Sequence, residues 1–571
     1  MKSTDPVLNE VIQSALDLAV EEGGLSAARA AGSTFISSSN GIACALFDTS
    51  GRQVAQTAGG LLHVSALWIM LGKLLERQPL ATISEGDVFI FNDHFLGGIH
   101  PTDVGAFRPI FHDGELVFFA ATMMIVSDLG GMSAGGLPAN ATEIFHEGLV
   151  IPPVYYHQGG RLVTMVQQFI RSNSRAPDKV IGDIDALVAG TSVVRARIGE
   201  LLERYGIDTV EEVIAHLLRY AEEMTRLGIA GIPDGVFKGS YGVEEDGIEA
   251  DREFVVRCTV TIDGDNCTLD FTGTDRQARG PINASYSQAM SGAIYGMRCY
   301  LDPSIPMNEG LYNAIKVILP EGSLVNPRYP AAANLRMGTV HAILDAINEA
   351  LSEAYPGHVG APGSAAATST VSGVAAVDGS TYTMLDTNFG VGGGREGLDG
   401  NDGTPSPIYS SAGWERSIEA YEWEFPVEYE CFKLLPDSAG IGKWRGGTGI
   451  QKTIHYLTDN WMTVRSSDRF ARAPRGLAGG GPGSGGGWYI NKGRADETRL
   501  PSKKTNFFVK AGSSLTFINS GGGGFGDPRE RDVEAVARDV RHGLVSREAA
   551  LRDYGVEIDD TGVGHRREAA K

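Results

Sequence analysis

Apolar positions change period several times along the chain, and each change predicts an element. Behind Asp5-Pro6, a favourable cap and first-turn pair, Val7, Val11, Ile12, Ala15, Leu16 and Ala19 recur at helical spacing, which predicts a helix over 5–31. CALFD and QVAQ flank Thr49-Ser50-Gly51-Arg52 and predict a hairpin within 42–58. An apolar helix is expected over 64–78. From Asp87 the pattern turns β-rich through GDVFIFND and FRPIFHDGELVFFAATMMIV to Asp128, with His112-Asp113-Gly114 as a turn and glycine-rich loops after the strands.

Helical periodicity returns over 177–228. Ile184, Leu187, Val193, Val194, Ile198, Leu201 and Leu202 share one face, and a second helix follows around 210–227. Strands are expected over 235–275 around Asp263-Gly264, helices over 285–302 and 338–355, and a charged helical tail over 533–554. Between 365 and 525 the chain reads as irregular, with strand-like islands. The length of 571 residues exceeds one ordinary core, so two or three domains are expected. The pattern divides the chain into 1–176, 177–232, 233–364, 365–530 and 531–571, an α+β organisation.

Composition narrows the class. Hydrophobic residues are 42% and charged residues 21%, ordinary for a globular protein, and the net charge of -21 disfavours phosphate backbones, so no nucleic-acid partner is expected. Cys44, Cys258, Cys267, Cys299 and Cys431 are dispersed and form no CxxC pair, which argues for free thiols rather than a disulfide framework or a cysteine zinc site. No signal-peptide pattern and no apolar run of ~18 residues is visible, so no membrane span and a cytoplasmic location are expected.

Glycine is the unusual component: 75 of 571 residues, near twice the average usage of about 7%. These glycines sit within apolar sequence, which predicts tight turns, close backbone approaches or packed polyproline-like segments. GVGGGREG (390–397), GLAGGGPGSGGG (476–487) and GGGGFG (521–526) lack the GxxxxGK[ST] pattern, so a structural role is favoured over nucleotide binding.

One stretch carries candidate chemistry. In His100-Pro101-Thr102-Asp103, an imidazole and a carboxylate three apart on a loop suit one metal ion, although such a pair is more often a structural hydrogen bond. Asp93, His94 and Asp128 are near in sequence, and His63 precedes an apolar helix, where it is a cap or a site residue. The acidic run 244–251 reads as a solvated turn, and no GxSxG elbow is present.

Collinear motifs then point to a family. CALFD (44–48), NDHFLGGIHPTD (92–103), SDLGGM (127–132), ATEIFHEGLVIPPV (141–154), DFTGT (270–274), RGPIN (279–283), EGSLVNPR (321–328), LLPDSAGIGKWRGG (434–447), GGGGFGDP (521–528) and SREAALRDYGV (546–556) resemble the hydantoinase B/oxoprolinase family along nearly the whole chain. The resemblance implies a barrel-like pair of β-sheets leading into a bundle of short polyproline-II helices. It implies a B-type subunit that works with an A-type ATPase partner, in a hetero-oligomer that takes a small-molecule substrate. The partner uses ATP to phosphorylate a carbonyl or amide oxygen, and the B-type chain completes the reaction. Family members hydrolyse hydantoins, 5-oxoproline and lactams; relatives carboxylate acetone or acetophenone.

The resemblance further implies a divalent metal, zinc or manganese, on His100 and Asp103; the residues around that pair give His63, Asp93 and Asp128 as catalytic candidates, with Asp128 or His63 able to stand in as a further ligand. The sequence departs from that pattern. The family histidine before the SDLGG segment is replaced by Ile125-Val126, an aspartate expected three residues before Cys44 by Gly41 beside Asn40, and a later His/Thr-rich tract by Asn401-Asp402-Gly403-Thr404. Three readings stay open: a cyclic-amide hydrolase subunit, an ATP-dependent ketone carboxylase subunit of the acetone or acetophenone type, and a catalytically silent scaffold.

Overall fold

Asp5 accepts a hydrogen bond from the Val7 N–H (3.0 Å) and opens a helix over Pro6–Ala30, as the Asp-Pro pattern predicts. The computed structural model describes residues 5–37, 42–58, 61–374, 379–404, 417–466 and 469–567. They gather into two units, one of 1–242 with 254–350, the other of 243–253, 351–407 and the chain from 414.

The first unit is built on a seven-stranded sheet. Its strands are β1 (Ala43–Asp48), β2 (Gln53–Gln56), β3 (Val88–Phe91), β4 (Asp103–His112), β5 (Glu115–Ile125), β6 (Val154–Gln158) and β7 (Arg161–Leu162), in the order β2-β1-β5-β4-β3-β6-β7 and antiparallel throughout. Side chains alternate along a strand. Cys44 and Leu46 therefore meet Ile12, Leu16, Val194 and Ile198 on one face. Ala43, Ala45 and Phe47 meet Leu67, Met70 and Leu71 of the Leu61–Arg77 helix on the other. Cover on both faces explains why β1 and β5 read as unbroken apolar runs. Asp113 and Gly114 take positive φ (50° and 84°) in the expected β4–β5 turn.

The paired helices Pro177–Tyr205 and Ile207–Ala230 appear where helical spacing placed them. A smaller sheet follows, with Asn266–Asp270 antiparallel to Phe254–Asp263 and parallel to Ile315–Ile318, a strand the sequence did not announce. The helices Tyr286–Arg298 and Met337–Leu351 match expectation, and Thr164–Ser172 is an unforeseen one.

The second unit corrects the expectation of an irregular 365–525. Two open sheets, ordered Thr381–Asn388, Ala367–Val374, Asn460–Ser466, Lys503–Val509 and Val427–Leu434, Ile450–Tyr456, Ser514–Ile518, Gly487–Ile490, Thr498–Leu500, enclose Val371, Met384, Ile454, Met462, Val464, Trp488 and Phe517. None of the described sheets closes into a barrel. Val427–Leu434 is one of the strand-like islands expected there, whereas Ala367–Val374 and Thr381–Asn388, eight residues each, stand between glycine-rich connections that obscured them. The loops pack backbone on backbone: Gly394 N–H donates to Gly523 O (2.9 Å), Gly447 to Gly392 O (2.9 Å) and Gly522 to Gly447 O (3.0 Å). A Cβ on Gly446 would collide with the Gly522 carbonyl, so side chains are excluded there.

Glu244 corrects the solvated turn. Its carboxylate accepts backbone N–H bonds from Phe470 (3.2 Å), Ala471 (2.8 Å) and Arg472 (2.7 Å). The tail forms two helices, Val533–Arg541 and Arg547–Tyr554, the second capped by Ser546. Cys44, Cys258 and Cys267 are buried, Cys431 is partly buried and Cys299 is exposed; none of the five forms a disulfide among the described residues. No helix among the described residues is long and apolar enough to cross a membrane.

Candidate functional site

The loop from β3 to β4 holds most of the candidates, and Asn92 pins it shut. The Asn92 amide donates to Pro101 O (2.5 Å) and Leu149 O (2.9 Å), and its oxygen accepts from Ile151 N–H (2.6 Å). Gly97 takes φ 94°, and a Cβ there would press to 2.8 Å from Met70 N. Glycine thus lets the loop lie against the helix that carries His63. Ser285 and Ser287 donate to the Gly98 carbonyl (3.1 and 2.8 Å) and tie the loop to the Tyr286–Arg298 helix.

Asp103 opens β4 and is fully buried. His63 Nε2 lies 3.3 Å from its Oδ1, His100 Nε2 lies 3.1 Å from Oδ2, and Arg336 Nη2 lies 3.5 Å from Oδ2. Burial opposes charge on this carboxyl, but the His100 and His63 imidazoles and the Arg336 guanidinium outweigh it and hold Asp103 well below the usual carboxylate range. His100 is occupied at both nitrogens, since Nδ1 sits 2.5 Å from Thr102 Oγ1. His63 keeps 19% side-chain exposure and is the solvent-facing member.

Of the five sequence candidates, His63, His100 and Asp103 come together. Asp93 instead caps the His94–Leu96 turn through Phe95 N–H (2.9 Å), and burial raises its carboxyl. Asp128 is fully buried and accepts from Gly130 N–H (2.9 Å), Gly135 N–H (2.9 Å) and Arg175 N–H (2.8 Å), with Arg175 Nη1 at 3.2 Å. That carboxylate folds the SDLGGM loop.

Two further residues, Arg336 and Glu147, escaped the sequence reading, and His94 entered it only as a neighbour of the His–Asp pair. Arg336 stands 233 positions from Asp103, beyond any spacing argument, and its Nε donates to Gln288 Oε1 (3.0 Å). Its one signal was polarity inside the apolar run PAAANLRMGTV. His94 Nε2 donates to Ala331 O (3.1 Å), and burial pushes the imidazole down to about 3, so it is neutral. Glu147 is fully buried and accepts at Oε1 from Ala333 N–H (2.8 Å), Asn334 N–H (2.7 Å) and Asn334 Nδ2 (2.8 Å).

The hydantoinase B/oxoprolinase family model matches residues 5–528. The chain belongs to this family. It is 30% identical over 572 residues to the beta chain of caprolactamase from Pseudomonas jessenii, covering 98% of this chain and 98% of that one. It is 25% identical to the acetophenone carboxylase delta subunit of Aromatoleum aromaticum, over 90% of this chain and 81% of the relative. The crystal structure of ATP-dependent caprolactamase from Pseudomonas jessenii superposes with a TM-score of 0.89 at 28% identity, over 98% of both chains.

In this hydantoinase B/oxoprolinase chain the residues present do not complete the metal site that the resemblance implies. The strand partner of Asp103 is Ile125, followed by buried Val126, so apolar side chains stand where the family histidine would. Arg336 faces Asp103 Oδ2 and would repel a dication sharing that oxygen. Asp402 is held by Arg445 (2.6 and 2.7 Å), and Asn40 and Gly41 lie outside the described residues. Among the described residues no group of three or more His, Cys, Asp or Glu is arranged to hold a metal ion.

Proposed function

We propose that the chain is the B-type subunit of a heteromeric, ATP-dependent enzyme of the cytoplasm that opens a cyclic amide of the hydantoin, 5-oxoproline or lactam type. An A-type ATPase partner phosphorylates the amide oxygen, and this chain hydrolyses the activated product. The observation that carries the reading is the convergence of His63, His100 and Arg336 on buried Asp103, in a chain that matches the caprolactamase structure from end to end.

The chemistry follows from the tautomer. An ionised Asp103 accepts the Nε2 proton of His63, which leaves the lone pair on Nδ1, the arrangement of a general base oriented by a carboxylate. His63 takes a proton from water as the oxygen attacks the O-phosphorylated amide carbon. It returns that proton to the ring nitrogen; the new hydroxyl then passes its proton to the same nitrogen as the carbonyl forms and the C–N bond breaks, which leaves an acyl phosphate and a free amine. A second water releases phosphate and the open-chain carboxylate. His100 and Arg336 keep Asp103 ionised throughout. This sequence uses no metal at Asp103.

The carboxylase reading is supported by the apolar Ile125 beside Asp103, since attack by an enolate on carboxyphosphate requires no activated water. The two are separated by supplying the chain, purified with its A-type partner, with ATP and either cyclic amides or a ketone plus bicarbonate. Ring-opened product with ADP and phosphate is expected. A carboxylated ketone selects the alternative, and ATP turnover by this chain alone sinks both.

A further inference from the structure

Arg336 reaches Asp103 from the end of a strap, residues 330–336, that the first unit grips at many points. Ile144 N–H donates to Pro330 O (2.8 Å), His94 Nε2 to Ala331 O (3.1 Å), Asn283 Nδ2 to Ala332 O (2.9 Å) and Leu335 N–H to Pro281 O (2.8 Å). The centre of the strap is held by one atom, Glu147 Oε1, which accepts both consecutive N–H groups, Ala333 and Asn334, and the Asn334 side-chain amide. Two residues later comes Arg336.

The other carboxyl oxygen is the puzzle. Glu147 Oε2 is buried and has no hydrogen-bond partner among the described residues. A carboxylate used only as a clamp would be expected to have both oxygens bonded, because a bare buried oxygen of a charged group is costly. Burial pushes this carboxyl up to about 7, against the lowering pull of the Asn334 and Ala333 bonds and of Arg336. Arg336 is the charged group acting on it from the strap. On its own turn His146 and Glu143 pair with each other (3.4 Å), and in the neighbouring loop Asp128 is taken by Arg175 (3.2 Å). Arg336 itself contacts Asp103 and not Glu147, so the link from Glu147 to Asp103 runs through the 333–336 backbone.

We propose that Glu147 is a positioning residue for the reaction: its carboxyl clamps the 333–334 backbone so that Arg336 is presented to Asp103, and through Asp103 it governs the His63 base. The inference rests on the reading of His63 and Asp103 given above. A clamp needs an acceptor at Oε1, which Gln supplies and Ala does not.

The test uses the complex with the A-type partner and compares wild type, Glu147→Gln, Glu147→Ala and His63→Ala. Displacing a catalytic arrangement by about 1 Å costs about 100-fold, so Glu147→Ala is expected to lower kcat by about that factor with KM little changed. Glu147→Gln, which keeps an acceptor oxygen for the Ala333 and Asn334 N–H groups, is expected to retain wild-type kcat. Hydrogen exchange of the 331–336 amides, measured on the same complexes, gives a readout independent of turnover: faster in Glu147→Ala, unchanged in Glu147→Gln at low pH. Wild-type kcat and slow exchange in Glu147→Ala overturn the clamp. A Glu147→Gln variant as slow as Glu147→Ala also overturns it, since Gln keeps the acceptor oxygen the clamp needs. Full activity in His63→Ala is a different failure: it removes the base reading, while the exchange data still decide whether Glu147 holds the strap.

Discussion

Replacing Glu147 by Gln should stabilise the fold at alkaline pH and leave it nearly unchanged in acid. The wild-type carboxyl is fully buried and raised from its ordinary 4.5 to about 7. Below 4.5 it is protonated whether the chain is folded or not, so the folded state carries no penalty. Between 4.5 and about 7 the unfolded chain ionises and the folded one does not. Stability falls through that window and then levels off, at a loss of about 3 kcal/mol from the difference between the two values. Gln keeps an oxygen for the Ala333 and Asn334 N–H groups and never ionises. The assay is urea unfolding of both proteins at about pH 4.5 and about pH 8.5. A variant advantage of about 1–3 kcal/mol is expected at the higher pH and close to none at the lower. An equal effect at both would refute the argument, since it would mean that burial is not what raises this carboxyl.

Other outcomes follow from the same structure. Asp128→Ala removes a buried acceptor of four hydrogen bonds and should destabilise the first unit by about 3 kcal/mol, read by denaturation. Gly446→Ala drives a Cβ into the Gly522 carbonyl and should lower stability by about 3 kcal/mol or prevent accumulation of folded protein, checked by thermal melting. Arg531→Met removes the guanidinium that contacts Asp399 and Asp539 at 2.7 Å each, leaving them to Arg445, and should cost about 3 kcal/mol by the same measurement.

The sequence made the first unit legible for physical reasons. Helical spacing at Val7–Ala19 and Ile184–Leu202, and the capped start at Asp5, are local signals that tertiary packing reinforced. The second unit was less legible. Strands such as Thr498–Leu500 are too short to show a period, and their pairing with Gly487–Ile490 is set by partners remote in sequence. The site divides the same way. His100 and Asp103 lie on one loop, and their spacing carried the chemistry, whereas Arg336 joins them only through the strap. Asp128 entered as a candidate by its nearness in sequence to His100 and Asp103, and in the structure the glycines after it supply N–H groups that bond its carboxylate.

The most direct test of the account is ATP-dependent ring opening by the complex carrying His63→Ala, with its metal content measured alongside wild type. A loss of about 100-fold to 10,000-fold in kcat is predicted, with assembly intact and no stoichiometric metal in either protein. Turnover that survives the substitution, or one zinc or manganese per chain that is lost with it, would contradict a histidine base oriented by Asp103.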